Sequence, residues 1–151
     1  MSRAAHLHRR GQSLVELALT LPVLGILLIG TIDFARVYYA AMAVGQAARA
    51  GAAYGAQSVG TSGDDSGMAQ AALTTANLDL TPAVTAASVH ATHWCACADG
   101  TQVSCASGTC TEGVPRVYVS VEVDRTFQTL FPYPGIPSTV RLNRTATLRV
   151  Q

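Results

Sequence analysis

Charge is scarce in this chain: Asp, Glu, Lys and Arg make up only 13% of its 151 residues, and the formal net charge is +1. Nucleic-acid binding needs a basic stripe, and none is visible. Arg3, Arg9 and Arg10 cluster at the N-terminus, while Arg116, Arg125, Arg141, Arg144 and Arg149 are spaced singly near the C-terminus. Catalytic signatures are missing too. There is no nucleophile elbow and no H-E-x-x-H, and the Gly60-Thr61-Ser62-Gly63 loop lacks the lysine of a phosphate-binding loop. These absences argue against an enzyme and call for no cofactor. The length allows one domain of roughly 100 to 150 residues plus an anchor.

What is present begins at the N-terminus. From Leu17 to Ile32 there is no charged residue, and the run is bounded by Glu16 and Asp33. At 1.5 Å per residue it makes about 24 Å of helix, and extending it back to Gln12 gives about 32 Å, enough to cross a bilayer core of about 30 Å. Arg3, His6, His8, Arg9 and Arg10 precede it. The positive-inside bias therefore predicts a cytoplasmic leader (residues 1–11), a membrane span (residues 12–33) and an extracytoplasmic remainder. A signal-peptidase site is disfavoured, because the nearest small-x-small tripeptide, Ala41-Met42-Ala43, lies beyond Asp33 and Arg36. A buried core helix of a soluble protein is the competing reading, but such segments usually hold only 10 to 14 apolar residues. Pro22, Gly25 and Gly30 interrupt the run in a way that membrane helices tolerate when packed against partners.

Beyond the span the helical pattern continues to about Gln57. Phe34, Val37, Tyr38, Ala41, Val44, Ala48 and Ala52 repeat at helical spacing, and a second row, Ala41, Gly45, Ala47, Gly51 and Gly55, is unusually small. Glycine costs about 1 kcal/mol per helix position, so a sheet or a partner helix is expected to approach closely there. Asp33 and Arg36 form an i, i+3 pair at the outer membrane boundary.

Residues 58–151 read as an α+β domain. Val59 to Gly67 is a loop by composition, and Met68 to Leu78 a short helix capped by Asp65 or Ser66. Val84 to Trp94, Arg116 to Phe127 and Thr139 to Val150 read as three strands of an antiparallel sheet. The segment Phe131 to Pro137 is too proline-rich for sheet and reads as an exposed loop. Cys95, Cys97, Cys105 and Cys110 lie within the loop region 95–110. An even number in an oxidising compartment predicts two disulfides. Four cysteines allow three connectivities; the nested one, Cys95 with Cys110 and Cys97 with Cys105, suits a hairpin-like loop. A tetrahedral metal site of His93, Cys95 and Cys97 with Cys105 or Cys110 is the alternative, but the C-x2-C knuckle is lacking.

Taken in order, Gly11-Gln12-Ser13-Leu14-Val15-Glu16-Leu17-Ala18, the proline-containing run Leu19 to Leu24 and then Asp33-Phe34-Ala35-Arg36 resemble the TadE-like family, pilin-like proteins of Tad (Flp-type) pilus assembly. The resemblance covers roughly residues 10 to 55. It implies a pilin-like α+β fold, with a long N-terminal transmembrane helix extending (residues 34–57) into a small antiparallel-sheet periplasmic domain. It also implies a bacterial inner-membrane location and a type IV prepilin peptidase that cuts after Gly11, so that the mature chain begins at Gln12. Glu16 is then the acidic position of the mature N-terminus. A carboxylate near lipid is stabilised by pairing, and the new α-amino group of a neighbouring subunit is a candidate partner. Other pilin-like subunits and the Tad inner-membrane platform are the implied partners. Flp-type major pilins are shorter and carry an aromatic after the glutamate, whereas Leu17 follows Glu16 here, so a minor pilin or pseudopilin is expected. A signal-anchored extracytoplasmic binding domain unrelated to pili, and a metal or redox module built on the cysteines, are the other readings.

Overall fold

The computed structural model describes residues 4–79, 88–132, 135 and 137–151. In order the elements are α1 (Ala4–Gly55), α2 (Val59–Ser62), α3 (Asp65–Asp79), β1 (Val89–Ala96), β2 (Gln102–Val103), β3 (Arg116–Gln128) and β4 (Thr139–Arg149). Two compact units divide the chain, Met1–Val37 and Tyr38–Gln151.

The first unit contains the N-terminal part of α1. Its large apolar side chains are exposed from Leu14 to Leu28, with Leu14, Leu19 and Ile26 at 68%, 71% and 67% of full exposure. A soluble core helix would bury this surface, so the core-helix reading fails for the run. Two hydroxyls within it are answered by the helix itself, Thr20 donating to the Leu17 carbonyl at 3.2 Å and Thr31 to the Leu27 carbonyl at 2.7 Å. Such back-bonding leaves no hydroxyl hydrogen to be solvated in an apolar medium.

The second unit is a four-stranded antiparallel sheet in the order β2-β1-β3-β4, with helices on one face. Period-two alternation does what the sequence led one to expect in β3: Val119, Val121 and Val123 are fully buried, while Tyr118, Ser120 and Glu122 line the opposite face. On that outer face Trp94 stacks on Tyr118 across the strands at 5.8 Å between ring centroids. The buried valines meet the C-terminal part of α1, where Val44, Ala47, Ala48 and Ala52 are fully buried, and α3, which contributes Met68, Ala72 and Ala76. The last three recur at i, i+4 and i+8 and form one stripe of α3.

The small row on α1 has its explanation here. A Cβ on Gly51 would stand 2.7 Å from the Met68 carbonyl oxygen and 3.1 Å from both Ala72 Cβ and Val121 Cγ1. On Gly55 it would overlap the Met68 thioether and lie 3.2 Å from Val119 Cγ1. The contact that offsets the intrinsic cost of these glycines lies within the chain, from both a helix and a sheet. Gly25 and Gly30 meet nothing within 4 Å.

Several boundaries differ from expectation. Residues 59–62 form a helical turn, α2, because Ser58 and Thr61 make a reciprocal capping box. The cap of α3 is Asp64, one residue before the pair expected, since its carboxylate accepts from the Gly67 amide at 2.9 Å. Tyr54 of α1 also donates to Asp64, at 3.0 Å, and ties the two helices together. The sheet has a fourth, two-residue strand, β2, too short for alternation to reveal. β1 begins at Val89, and the earlier part of the expected strand, residues 84–87, lies outside the described residues, as do residues 133, 134 and 136 of the proline-rich loop. In β4 the alternation is only half expressed, with Val140, Leu142 and Ala146 partly buried and Leu148 40% exposed, because β4 is an edge strand.

Two outcomes follow. Gly51→Leu is expected to destabilise the second unit by about 1–3 kcal/mol through overpacking against backbone, whereas Gly25→Ala leaves its unfolding unchanged; thermal circular dichroism of the full chain in detergent separates them. The Ser66 hydroxyl, the Gly67 amide and the Tyr54 hydroxyl all donate to Asp64 and hold its carboxyl below the ordinary value. A depressed native pKa gives stability that is present above the unfolded value and lost as pH falls through the native one. Wild type should therefore exceed Asp64→Ala in melting temperature at neutral pH, with the gap closing below about pH 4.

Candidate functional site: the N-terminal helix and the cysteine loop

Gly11 lies within α1, whose helical backbone starts at Ala4, so the Gly11–Gln12 bond is flanked by helix on both sides. Gln12 and Glu16 are exposed on the same helix, Glu16 one turn after Gln12 and just ahead of the uncharged run. The stretch from Gln12 onward is long and apolar enough to cross a membrane, and its most apolar window has no buried residue. At the end of the run the expected charge pair is formed: Arg36 donates to Asp33 at 3.0 Å. Asp33 is 4% exposed, which the i, i+3 spacing alone did not foretell. A largely buried carboxylate is stabilised by such a charge-assisted bond more than a surface one is.

The cysteines are all paired, but not in nested fashion. Cys95 bonds Cys105 and Cys97 bonds Cys110, so the two closed loops interleave. Register gives the reason. β2 folds back on β1 with Val103 opposite Cys95, and the Cys97 amide donates to the Thr101 carbonyl at 2.9 Å. Cys105 is thus two residues past the partner of Cys95 but four past that of Cys97, about 7 Å against about 13 Å along a strand. A turn then closes with the Gly108 amide donating to the Ser104 carbonyl at 2.8 Å and carries the chain back to Cys97. A Cβ on Gly108 would overlap the Ser104 carbonyl, so only glycine fits this return. The Cα separations, 5.1 and 5.6 Å, suit both bridges. Because the sulfurs bond one another, the metal alternative loses its thiolate ligands. His93 instead faces Asp65 of α3 at 3.3 Å.

Two features of the second unit were not anticipated. One is the Tyr54–Asp64 tie, whose only sequence signal is an Asp placed three residues before a helix-opening glycine. The other is an open cavity beside α1 that Arg49 and Arg144 both line. No sequence pattern connects residues so far apart.

Non-reducing peptide mapping is expected to recover Cys95–Cys105 and Cys97–Cys110 linked peptides. The Cys97→Ala, Cys110→Ala double variant should lose up to about 3 kcal/mol, read as a lower midpoint in urea.

None of the curated proteins and none of the solved structures compared with the chain matches it. From the glycine that precedes the apolar run to the close-packed end of α1, residues 11–53 match the family model of TadE-like proteins.

Proposed function

We propose that this chain is a minor pilin or pseudopilin of a Tad-type (Flp) pilus, anchored in the bacterial inner membrane by residues 12–33 and working in assembly or adhesion through contacts with other pilin-like subunits. The observation that carries this reading is the unburied apolar stretch of α1, opened by Gly11 and Glu16, in the segment that matches the TadE-like family model. In this reading the leader, residues 1–11, stays in the cytoplasm, residues 34–57 extend the helix, and residues 58–151 form the periplasmic domain. The disulfide-bonded loop suits an oxidising space.

A prepilin peptidase would cut after Gly11. The bond lies in helix, so it must unwind locally, and glycine lowers the resistance to unwinding by about 1 kcal/mol relative to alanine. The cut frees an α-amino group at Gln12. Glu16, exposed at the start of the apolar run, would pair with the amino terminus of a neighbouring subunit and set axial register. The Asp33–Arg36 pair would sit at the outer boundary of the span, with exposed Tyr38 and Tyr39 beyond it as interfacial aromatics. The platform of the Tad system and its other pilin-like subunits are the partners. The role is mechanical, with no chemistry of its own.

The test is intact mass of the chain expressed in cells with and without a prepilin peptidase. Loss of residues 1–11 only in its presence, and retention of full length for Gly11→Leu, is the expected pattern. Full-length mass in both strains, or an N-terminus other than Gln12, would sink the reading in favour of an uncleaved signal anchor. Glu16→Gln should still be cut but enter assemblies poorly, as measured by crosslinking to co-purified subunits.

A further inference from the structure

The second unit has an open surface cavity of about 330 Å³ between the C-terminal part of α1 and β4, lined by exposed side chains: Tyr38, Met42, Gln46 and Arg49 on the helix side and Arg144 on the strand side. The helical residues fall at i, i+4, i+8 and i+11 and so share one face of α1. Gly45 lies beneath the strand residue, the Arg144 Cγ standing 3.9 Å from where a Cβ would be, so the Arg144 stem lies across the helix at ordinary contact distance. Arg49 is one turn further along the same face. Two arginines therefore line one concavity.

Among the described residues neither has a carboxylate to answer it. The ion pairs among the described residues join Asp33 to Arg36 and Asp65 to His93, and the one hydrogen bond from the Arg144 guanidinium goes to the Asn143 carbonyl at 3.2 Å. Like charges facing one another repel, and a bridging anion reverses the sign of that interaction. The other polar residues of the lining, Gln46 and Tyr38, each carry a donor, an amide and a hydroxyl. No carboxylate lines the cavity among the described residues. Donors without acidic acceptors, grouped around a space large enough for a polyoxyanion, fit phosphate, whose oxygens take bidentate bonds from arginine.

We propose that this cavity is a binding site for a phosphate-ester oxyanion, held by Arg49 and Arg144 and completed by Gln46 and Tyr38. That chemistry has two sources, the headgroup of an anionic phospholipid and a soluble phosphate. The lipid source requires that α1 span a membrane, as proposed above; the soluble one does not.

The experiment uses the full chain in two settings. In the first it is placed in nanodiscs of phosphatidylcholine with a minor fraction of phosphatidylglycerol, and the lipid retained on extraction is counted by native mass spectrometry. In the second it is held in a neutral detergent and titrated with inorganic phosphate and with glycerol 3-phosphate, followed by ³¹P resonance shifts. Selective retention of phosphatidylglycerol, cut about tenfold or more by the Arg49→Gln, Arg144→Gln double variant, supports the proposal with a lipid ligand. Saturable binding of the soluble phosphates, weakened to the same degree by that variant, supports it with a soluble ligand. Arg149→Gln, which removes an arginine outside the cavity, should leave both readouts unchanged, and the circular dichroism of each variant confirms that the sheet is intact. Absence of selective binding in both settings, or binding that survives the double variant, overturns the proposal. Cleavage after Gly11 is measured separately, so failure here leaves the pilin reading standing and failure there leaves the oxyanion site standing.

Discussion

The second unit depends on how closely α1 can approach β3 and α3. Gly51 and Gly55 face Val121, Val119 and Met68 at distances where even one methyl group would collide with backbone or sulfur. That approach allows three fully buried valines of one strand to be covered mainly by alanines, with Val44 and Met68 as the larger side chains among them. A core with so few large residues gains its stability from density more than from volume, since dispersion falls away within an ångström of lost contact. It also explains why the same helix is built from small residues here and from leucine and isoleucine before Asp33. The two stretches meet different surroundings.

Polar ties accompany this packing at its margins. The Asp64 carboxylate caps α3 and takes the Tyr54 hydroxyl, so the end of α1 and the start of α3 are fixed by one side chain. At one edge of the sheet, two interleaved disulfides secure the short strand β2 against β1. Edge strands are exposed to unwanted pairing, and the molecule treats its two edges differently. β2 is short and carries the cross-linked loop, while β4 carries Arg141, Arg144 and Arg149. One of these arginines, Arg144, reaches the face of α1.

Much of this was legible in advance where a periodic signal was long. Val117 to Val123 alternate with polar residues, and the strand they predict is found with nearly the same ends. The uncharged run likewise needed no tertiary information to be read as one long helix, which is what α1 is, apolar and long enough to cross a membrane. Where signals were short or local, the reading was less sharp. The turn of α2 rests on a capping box between Ser58 and Thr61 hidden in a Gly/Ser/Thr stretch, and β2 has only two residues. The nested cysteine pairing failed because it was drawn from order along the chain. The strand register, which decides which sulfur is within reach, cannot be read from spacing.

By itself, then, the sequence determined the anchor-like helix, the strand faces and the presence of two disulfides, because each follows from local periodicity, composition or an even count of cysteines. Only the tertiary structure decided which cysteines join, what the helix glycines touch, and that Arg49 and Arg144, ninety-five positions apart, open on one space. The physical reason is common to all three. Each depends on the register and separation of elements packed against one another, and these are set by the close fit of α1, α3 and the sheet rather than by any segment alone.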